Sequence, residues 1–338
     1  MHLAAPKPET WLRPTRSGLY CEPGDFYIDP TEAVARAAIT HGHSDHARPG
    51  NGAVLATSET LAIMRQRYGG DAGGSLQAAA YGEAVAIGDV SVTLVPAGHV
   101  LGSAQIVLDH RGSRVVVSGD YKRRRDPTCA PFEPRSCDVF VTEATFGLPV
   151  FRHPPDRGEI ARLSHSLALY PERCHAVGVY ALGKCQRVLA LLREAGYDAP
   201  IYIHGALAGL CELYESFGVS LGSLLPVIGA AKSELAGKIV LAPPGALADR
   251  WSRRLPDPVA AMASGWMRVK QRAKARGIEL PLVISDHADW DELTETMTGL
   301  GAGEIWVTHG REEALVHYAA KEGLRARALA LVGYDEDE

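Results

Sequence analysis

Short apolar, β-branched runs bounded by Gly, Pro and Asp recur through the first part of the chain. They fall at Ala53–Ala56, Ala84–Ile87, Val90–Pro96, Ser103–Asp109, Arg114–Ser118 and Asp138–Thr142, and their length and punctuation predict strands. Helical spacing of apolar positions appears at Ser58–Arg67. The polar motifs sit at strand ends, where loops on a rigid sheet place chemistry, so a strand-rich α/β sandwich is predicted.

From about residue 148 the texture changes. Pro154–Asp156 opens a helical segment to Tyr170, Ala176–Tyr180 reads as a strand and Lys184–Ala195 as an amphipathic helix. Ile201–His204, the helical Gly205–Phe217 and Lys238–Leu241 continue this βαβ alternation, which predicts a second domain with a parallel sheet. After Pro281 the strand-then-polar-loop texture returns in Leu282–Trp290 and Glu304–Glu312. The predicted organisation is one domain from residues 1–147 and 282–338, with residues 148–281 inserted into it.

Composition narrows the class. At 338 residues, 46% hydrophobic and 22% charged, the chain buries full cores and is neither fibrous nor disordered. Its net charge of −5 excludes a global basic field, so any polyanion must be held by local patches. The stretch free of charged residues and histidine, Ser216–Ala231, is interrupted by Pro226 and several glycines and serines and is too short to span a bilayer; no membrane association is expected. The first residues show no secretory pattern, so a cytoplasmic location is expected. The six cysteines form no CxxC pair and read as reduced structural thiols. Asp335–Glu338 reads as a solvated acidic end, and His2, His110, His153, His165, His175, His204 and His317 as structural or surface histidines.

The densest chemistry is Thr40-His41-Gly42-His43-Ser44-Asp45-His46, directly after the apolar Ala37–Ile39. Three imidazoles and a carboxylate on one loop form the mixed nitrogen and oxygen set that suits zinc or manganese. In an extended segment His41 and His43 project the same way, whereas Asp45 and His46 enter a turn and can face a second position, which favours two metals over one. Further donors are sought at strand ends beside glycine, where the backbone turns sharply: His99, Asp120 and His309 qualify, although each alone could equally be a satisfied polar residue.

With these motifs the chain resembles the metallo-β-lactamase-fold hydrolases, an α/β class built as an αββα sandwich. The resemblance implies that His41, His43 and His99 hold one divalent metal and Asp45, His46 and His309 the other, with Asp120 bridging and Asp29 supporting a ligand from behind. Two such ions, zinc or manganese, acidify a bridging water to the hydroxide that attacks a substrate. Three more motifs are similar to those of the β-CASP nucleases: Phe140–Gly147 around Glu143, Ile284–Asp289 around His287, and Tyr180–Gln186, which matches A-L-G-[RK]-x-Q and places an inserted β-CASP α/β domain. Within that group the chain is most similar to the bacterial ligase-associated DNA exonucleases, on Ala263–Arg268 with its following basic stretch and Ser285–Trp290. That likeness implies a metal-dependent exonuclease on single-stranded DNA in repair or end processing, associated in function with an ATP-dependent DNA ligase.

Local basicity is consistent with a phosphodiester. Lys122–Arg125 follows Asp120, a helix would stack Arg268, Arg272 and Arg276 on one face with Lys270 and Lys274 on another, and Arg250, Arg253 and Arg254 form a third cluster. Each cluster alone is equally well a solvated surface. Lys122, Arg123, Lys184, Ser264, Arg268 and Arg272 are the candidate substrate contacts; Lys184 alternatively sits in solvent at a helix start. Asp120, Asp45, Glu143 and His287 are the candidate catalytic groups, His287 protonating the leaving oxygen while Glu143 holds its tautomer. The rival readings are an RNA-processing β-CASP ribonuclease, a small-molecule metallo-hydrolase, and a catalytically silent DNA-binding subunit.

Overall fold

The computed structural model describes residues 5–329; His2 and the acidic Asp335–Glu338 lie outside the described residues. The chain divides into two compact units, Met1–Pro149 with His287–Glu338, and Val150–Asp286.

In the first unit, β1 (Leu12–Thr15), β2 (Gly18–Cys21), β3 (Phe26–Ile28), β4 (Arg36–Ala38), β5 (Ala53–Ala56) and β6 (Ser75–Ala78) form one sheet in chain order. Pairing is antiparallel across β1, β2 and β3 and parallel from β3 to β6. Helix α1 (Ser58–Tyr68) crosses between β5 and β6, capped by the Thr57 hydroxyl, and buries Leu61 and Met64 against Ile39 and Val54. A second sheet starts as a meander of β7 (Ala84–Ile87), β8 (Val90–Pro96), β9 (Ala104–His110) and β10 (Ser113–Val117), to which β11 (Val139–Ala144) adds in parallel.

The second unit carries α2 (Asp156–Leu169), β12 (His175–Gly178), α3 (Lys184–Glu194), β13 (Ile201–Ile203), α4 (Gly205–Ser216), β14 (Leu224–Pro226), α5 (Lys232–Leu235), β15 (Ile239–Ala242), α6 (Pro244–Ala248), β16 (Val259–Ala263), α7 (Lys270–Ala275) and β17 (Leu280–Leu282). Its sheet runs β14-β13-β15-β12-β16-β17 and is parallel throughout. The strands read as short apolar runs because a parallel sheet covered on both faces has no polar side. Leu280–Leu282 pairs with Ala261–Ala263, so the strand around Pro281 closes this sheet. The return to the first unit comes at His287, later than the change of texture at 282 implies.

Back in the first unit, α8 (Trp290–Gly299), β18 (Glu304–Gly310), α9 (Glu312–Lys321) and β19 (Ala326–Ala328) complete the second sheet in the order β19-β18-β11-β10-β9-β8-β7. Alternation along its strands sends side chains two ways. Val92, Leu94, Ile106, Val115, Val117 and Val141 pack with Leu19, Phe26 and Ile28 of the first sheet. Val107, Val116 and Phe140 pack with Leu293 and Met297 of α8 and Leu315 of α9. The fold is therefore a mixed α/β structure with several sheets. No helix among the described residues is long and apolar enough to cross a membrane.

Candidate metal centre

Strands β8, β10, β11 and β18 run in one direction, since β8 and β10 are both antiparallel to β9 while β11 and β18 continue parallel. Their carboxyl ends thus share one edge of the sheet. His99 follows β8, Asp120 follows β10, and Glu143 and His309 are the next-to-last residues of β11 and β18. The loop after β4 brings His41, His43 and His46 to the same place. It does so through bends and a turn, with the amides of His46 and Ala47 both donating to the His43 carbonyl, and not through the extended segment that its spacing implies.

Two of the turns demand glycine. Gly119, at φ 56°, would drive a Cβ to 2.6 Å from Cβ of Thr40, and Gly98, at φ 75°, to 2.3 Å from the Lys122 carbonyl. Asp29 and His309 hold left-handed backbones at φ 42° and 52° without that freedom, a strained conformation for residues other than glycine.

The donor atoms of His41, His43, His99 and Asp120 converge, as do those of His46, Asp120 and His309. His43 Nδ1 lies 3.1 Å from both His41 Nε2 and His99 Nε2, and Asp120 Oδ2 lies 3.3 Å from His41 Nε2 and 3.8 Å from His99 Nε2. Donors around a tetrahedral zinc with ordinary bond lengths are about 3.3 Å apart, so the set has the right size for a divalent metal. Asp120 Oδ2 is also 3.4 Å from His46 Nε2, which lies 3.4 Å from Asp45 Oδ2. The other Asp45 oxygen, Oδ1, is buried and has no hydrogen-bond partner among the described residues.

Hydrogen bonds behind the cluster fix which nitrogen each ring presents. Asp29 Oδ1 accepts from the Thr40 amide at 2.8 Å, and its Oδ2 accepts from the Thr40 hydroxyl at 2.5 Å and from His46 Nδ1 at 2.8 Å. Having spent its proton on Asp29, the Thr40 hydroxyl accepts from His41 Nδ1 at 3.0 Å. The Nε2 lone pairs of His41 and His46 therefore both face Asp120, an arrangement that requires a cation or a proton between them. This is the observation by which the residues fit a bound divalent metal.

The electrostatics agree. Burial pushes His41 well below the ordinary imidazole range, helped by His46. Burial pulls His46 the same way, but Asp120 and Asp45 outweigh it and hold it well above. Burial would raise Asp120; His46 and His287 overcome it and keep the carboxyl well below its usual range. Burial, then His46, lowers His309 to about 3. Glu143 is raised, first by burial and against the pull of His287. His287 Nδ1 is 2.9 Å from Glu143 Oε2, while Glu143 Oε1 accepts from the Tyr121 amide at 2.7 Å. His287 Nδ1 is also 4.0 Å from Asp120 Oδ2.

The candidate substrate contacts divide differently. Lys122 is buried, with Nζ 3.7 Å from Glu292 Oε2 and donating to the His287 carbonyl at 3.3 Å. The amides of Arg123 and Arg124 both donate to Glu292 Oε1, Arg124 Nη2 reaches Asp289 and Glu292, and Arg123 reaches Glu295. The run beside Asp120 thus ties α8 down with carboxylates. Lys184 is also buried, in an ion pair with Asp286, and is not a solvent charge at the helix start. Ser264 is buried and caps the turn Gly265–Arg268 by accepting from the Trp266 amide. Arg268 and Arg272 are exposed, but Arg268 belongs to that turn and Arg276 lies past the end of α7, so no helical stripe of three arginines forms.

Sequence reasoning passed over Glu292 as the counter-ion. The signal was present: Asp289 and Glu292 have the D-x-x-E spacing of a capping box, and both of its bonds form at the start of α8. Among the histidines read as structural, His175 is buried against Ser166 and His204 caps α4 through Nδ1. All six cysteines are free.

No protein-family model matches this chain. It is 28% identical over 318 residues to a probable DNA ligase of Opitutus terrae, covering 92% of this chain and 30% of that protein. It is 25% identical over 270 residues to cleavage and polyadenylation specificity factor 73 of Drosophila melanogaster, covering 65% of this chain and 39% of that one. The chain therefore spans well under half the length of these two relatives. An uncharacterized protein in the lig 3′ region of Acidianus ambivalens is 32% identical over 145 residues, 41% of this chain and 97% of its own length. Among solved structures, a protein of unknown function from Enterococcus faecalis V583 shares the fold, with a TM-score of 0.60 at 13% identity over 89% of this chain and 80% of that one.

Proposed function

The chain belongs to the β-CASP nucleases of the metallo-β-lactamase fold, and from that premise we propose that it is a two-metal phosphodiesterase acting on DNA, an exonuclease on single strands in repair or end processing. The observation that carries the reading is the buried cluster in which His41 and His46 turn their lone pairs on a shared Asp120. In this reading the first unit is the metallo-β-lactamase αββα sandwich and the second is the inserted β-CASP domain.

His41, His43 and His99 would hold one divalent ion and Asp45, His46 and His309 the second, with Asp120 common to both. Zinc suits the imidazoles, and manganese the added carboxylates. Bound there, the pair of ions would acidify a water and neutralise charge on phosphate oxygens. Asp29 and Thr40 keep the ligand rings from rotating. Glu143, itself anchored on the Tyr121 amide, holds the proton of His287 on Nδ1, and Nε2 is the atom left to pass a proton to the leaving oxygen.

DNA is favoured because a relative that matches 92% of this chain is a probable DNA ligase and another is described by its place beside lig, which supports a functional association with a ligase. The second reading, an RNA-processing nuclease, is favoured by the fly factor.

The test is a time course with matched 5′-labelled single-stranded DNA and RNA, with zinc or manganese, beside Asp120→Ala and His287→Ala. DNA is expected to be shortened stepwise by the wild type and not by Asp120→Ala. His287→Ala should retain its metal by elemental analysis and lose most of its turnover, by the 10²–10⁴-fold typical of a positioned acid. Preferential RNA cleavage would move the protein to the processing branch.

A further inference from the structure

The second unit holds two basic segments whose charges meet no carboxylate among the described residues, Arg250 with Arg253 and Arg254, and Arg268–Arg276, and the second of these also lays a guanidinium over an indole. Arg268, Lys270, Arg272, Lys274 and Arg276 occupy alternate positions with no acid among them, and all five are exposed. Among the described residues none of the five meets a carboxylate. Their contacts are of another kind. Arg268 Nε donates to the Val150 carbonyl at 3.3 Å, Arg276 lies against Met262, and the Arg272 guanidinium sits 4.2 Å over the ring of Trp266. Trp266 in turn is held edge-on by the buried Phe151, with ring centroids 5.1 Å apart at 88°.

A guanidinium laid over an indole presents a planar cationic face, and such faces stack on nucleobases as aromatic rings do. Bases offer their faces only when unpaired. We infer that Trp266 and Arg272 form a platform on which a base of single-stranded DNA stacks, while Lys270 and Lys274 beside it hold the adjoining phosphates. The inference rests on the nucleic-acid reading above and adds the surface that distinguishes a single strand from a duplex. The Lys122–Arg124 run is not that surface, because its cations are committed to Glu292, Asp289 and Glu295.

Binding of the full metal-loaded chain to a labelled phosphorothioate oligothymidylate, which resists hydrolysis, and to a duplex of the same chemistry tests it across a range of salt. Base stacking is worth about 1–3 kcal/mol per base, so Trp266→Ala should weaken single-strand binding about tenfold and leave duplex binding unchanged. Arg272→Lys keeps the charge, loses the plane and should weaken the single strand alone. Trp266→Phe keeps a ring and should hold wild-type affinity, which separates lost stacking from lost folding. Lys270→Gln with Lys274→Gln should flatten the salt dependence by about 0.7 per phosphate contact removed. Unchanged single-strand affinity in Trp266→Ala and Arg272→Lys would overturn the platform, as would equal losses for single strand and duplex, which mark a general polyanion surface. If the wild type cleaves single-stranded DNA while Trp266→Ala binds normally, only this inference fails. If the wild type binds neither polymer, the nuclease reading falls with it.

Discussion

Two basic runs, Lys122–Arg125 and Arg268–Arg276, look alike in sequence and differ in what they face. The first meets Glu292, Asp289 and Glu295, and its Lys122 is 1% exposed. The second is exposed and meets a carbonyl, a thioether and an indole. Cations confined with carboxylates in a low-dielectric interior are structural, whereas cations without counter-charge are available to a polyanion. Linear charge density therefore does not mark a nucleic-acid surface; the placement of the opposite charge does.

The comparison breaks most visibly at Glu292. Glu292→Gln would take from the buried Lys122 the carboxylate that lies 3.7 Å from it and weaken the cap of α8, and is expected to cost about 3–5 kcal/mol in urea unfolding. Stability unchanged in that variant would show that the run does not serve as a structural tie. Next in size is the effect of acid. Burial pushes Glu292 up, but Lys122 and Arg124 hold it at about 2 against an ordinary 4.5. The folded chain thus keeps this carboxylate ionised where the unfolded chain would protonate it. Its contribution, on the order of 3 kcal/mol, is complete above pH 4.5 and is lost as the pH falls from 4.5 toward 2. Unfolding curves of wild type and Glu292→Gln should converge over that window, and parallel curves would contradict the assignment. The smallest effect sharpens the other side: Lys270→Gln with Lys274→Gln should change unfolding free energy by no more than about 0.5 kcal/mol, as exposed charges without partners do. A larger loss would make that segment structural as well.

Much of the first unit was legible because its signals are local. Ala53–Ala56, Ala84–Ile87 and Val90–Pro96 are strands at the positions that their apolar runs predict, and α1 differs by one residue at its end. Where a short element depended on tertiary context, the reading slipped. The spacing of Arg268, Arg272 and Arg276 implies one helical face, yet Ser264 caps a separate turn ahead of α7 and takes Arg268 out of the helix. Lys184 opens α3 and reads equally as a phosphate contact or a solvent charge, yet it is buried in an ion pair with a carboxylate 102 positions away.

The sequence alone determined the donors: three histidines and an aspartate on one loop, with His99, Asp120 and His309 each beside a glycine at a strand end. Those features rest on neighbours a few positions apart, where chain geometry is nearly fixed. Tertiary structure decided the rest. Parallel strands bring the donors to one sheet edge, Asp29 and Thr40 choose the nitrogen each ring presents, and Glu292 claims the cations beside Asp120. Each of these rests on burial and on pairing between distant parts of the chain, where a charge takes its role from what surrounds it and not from its position along the sequence.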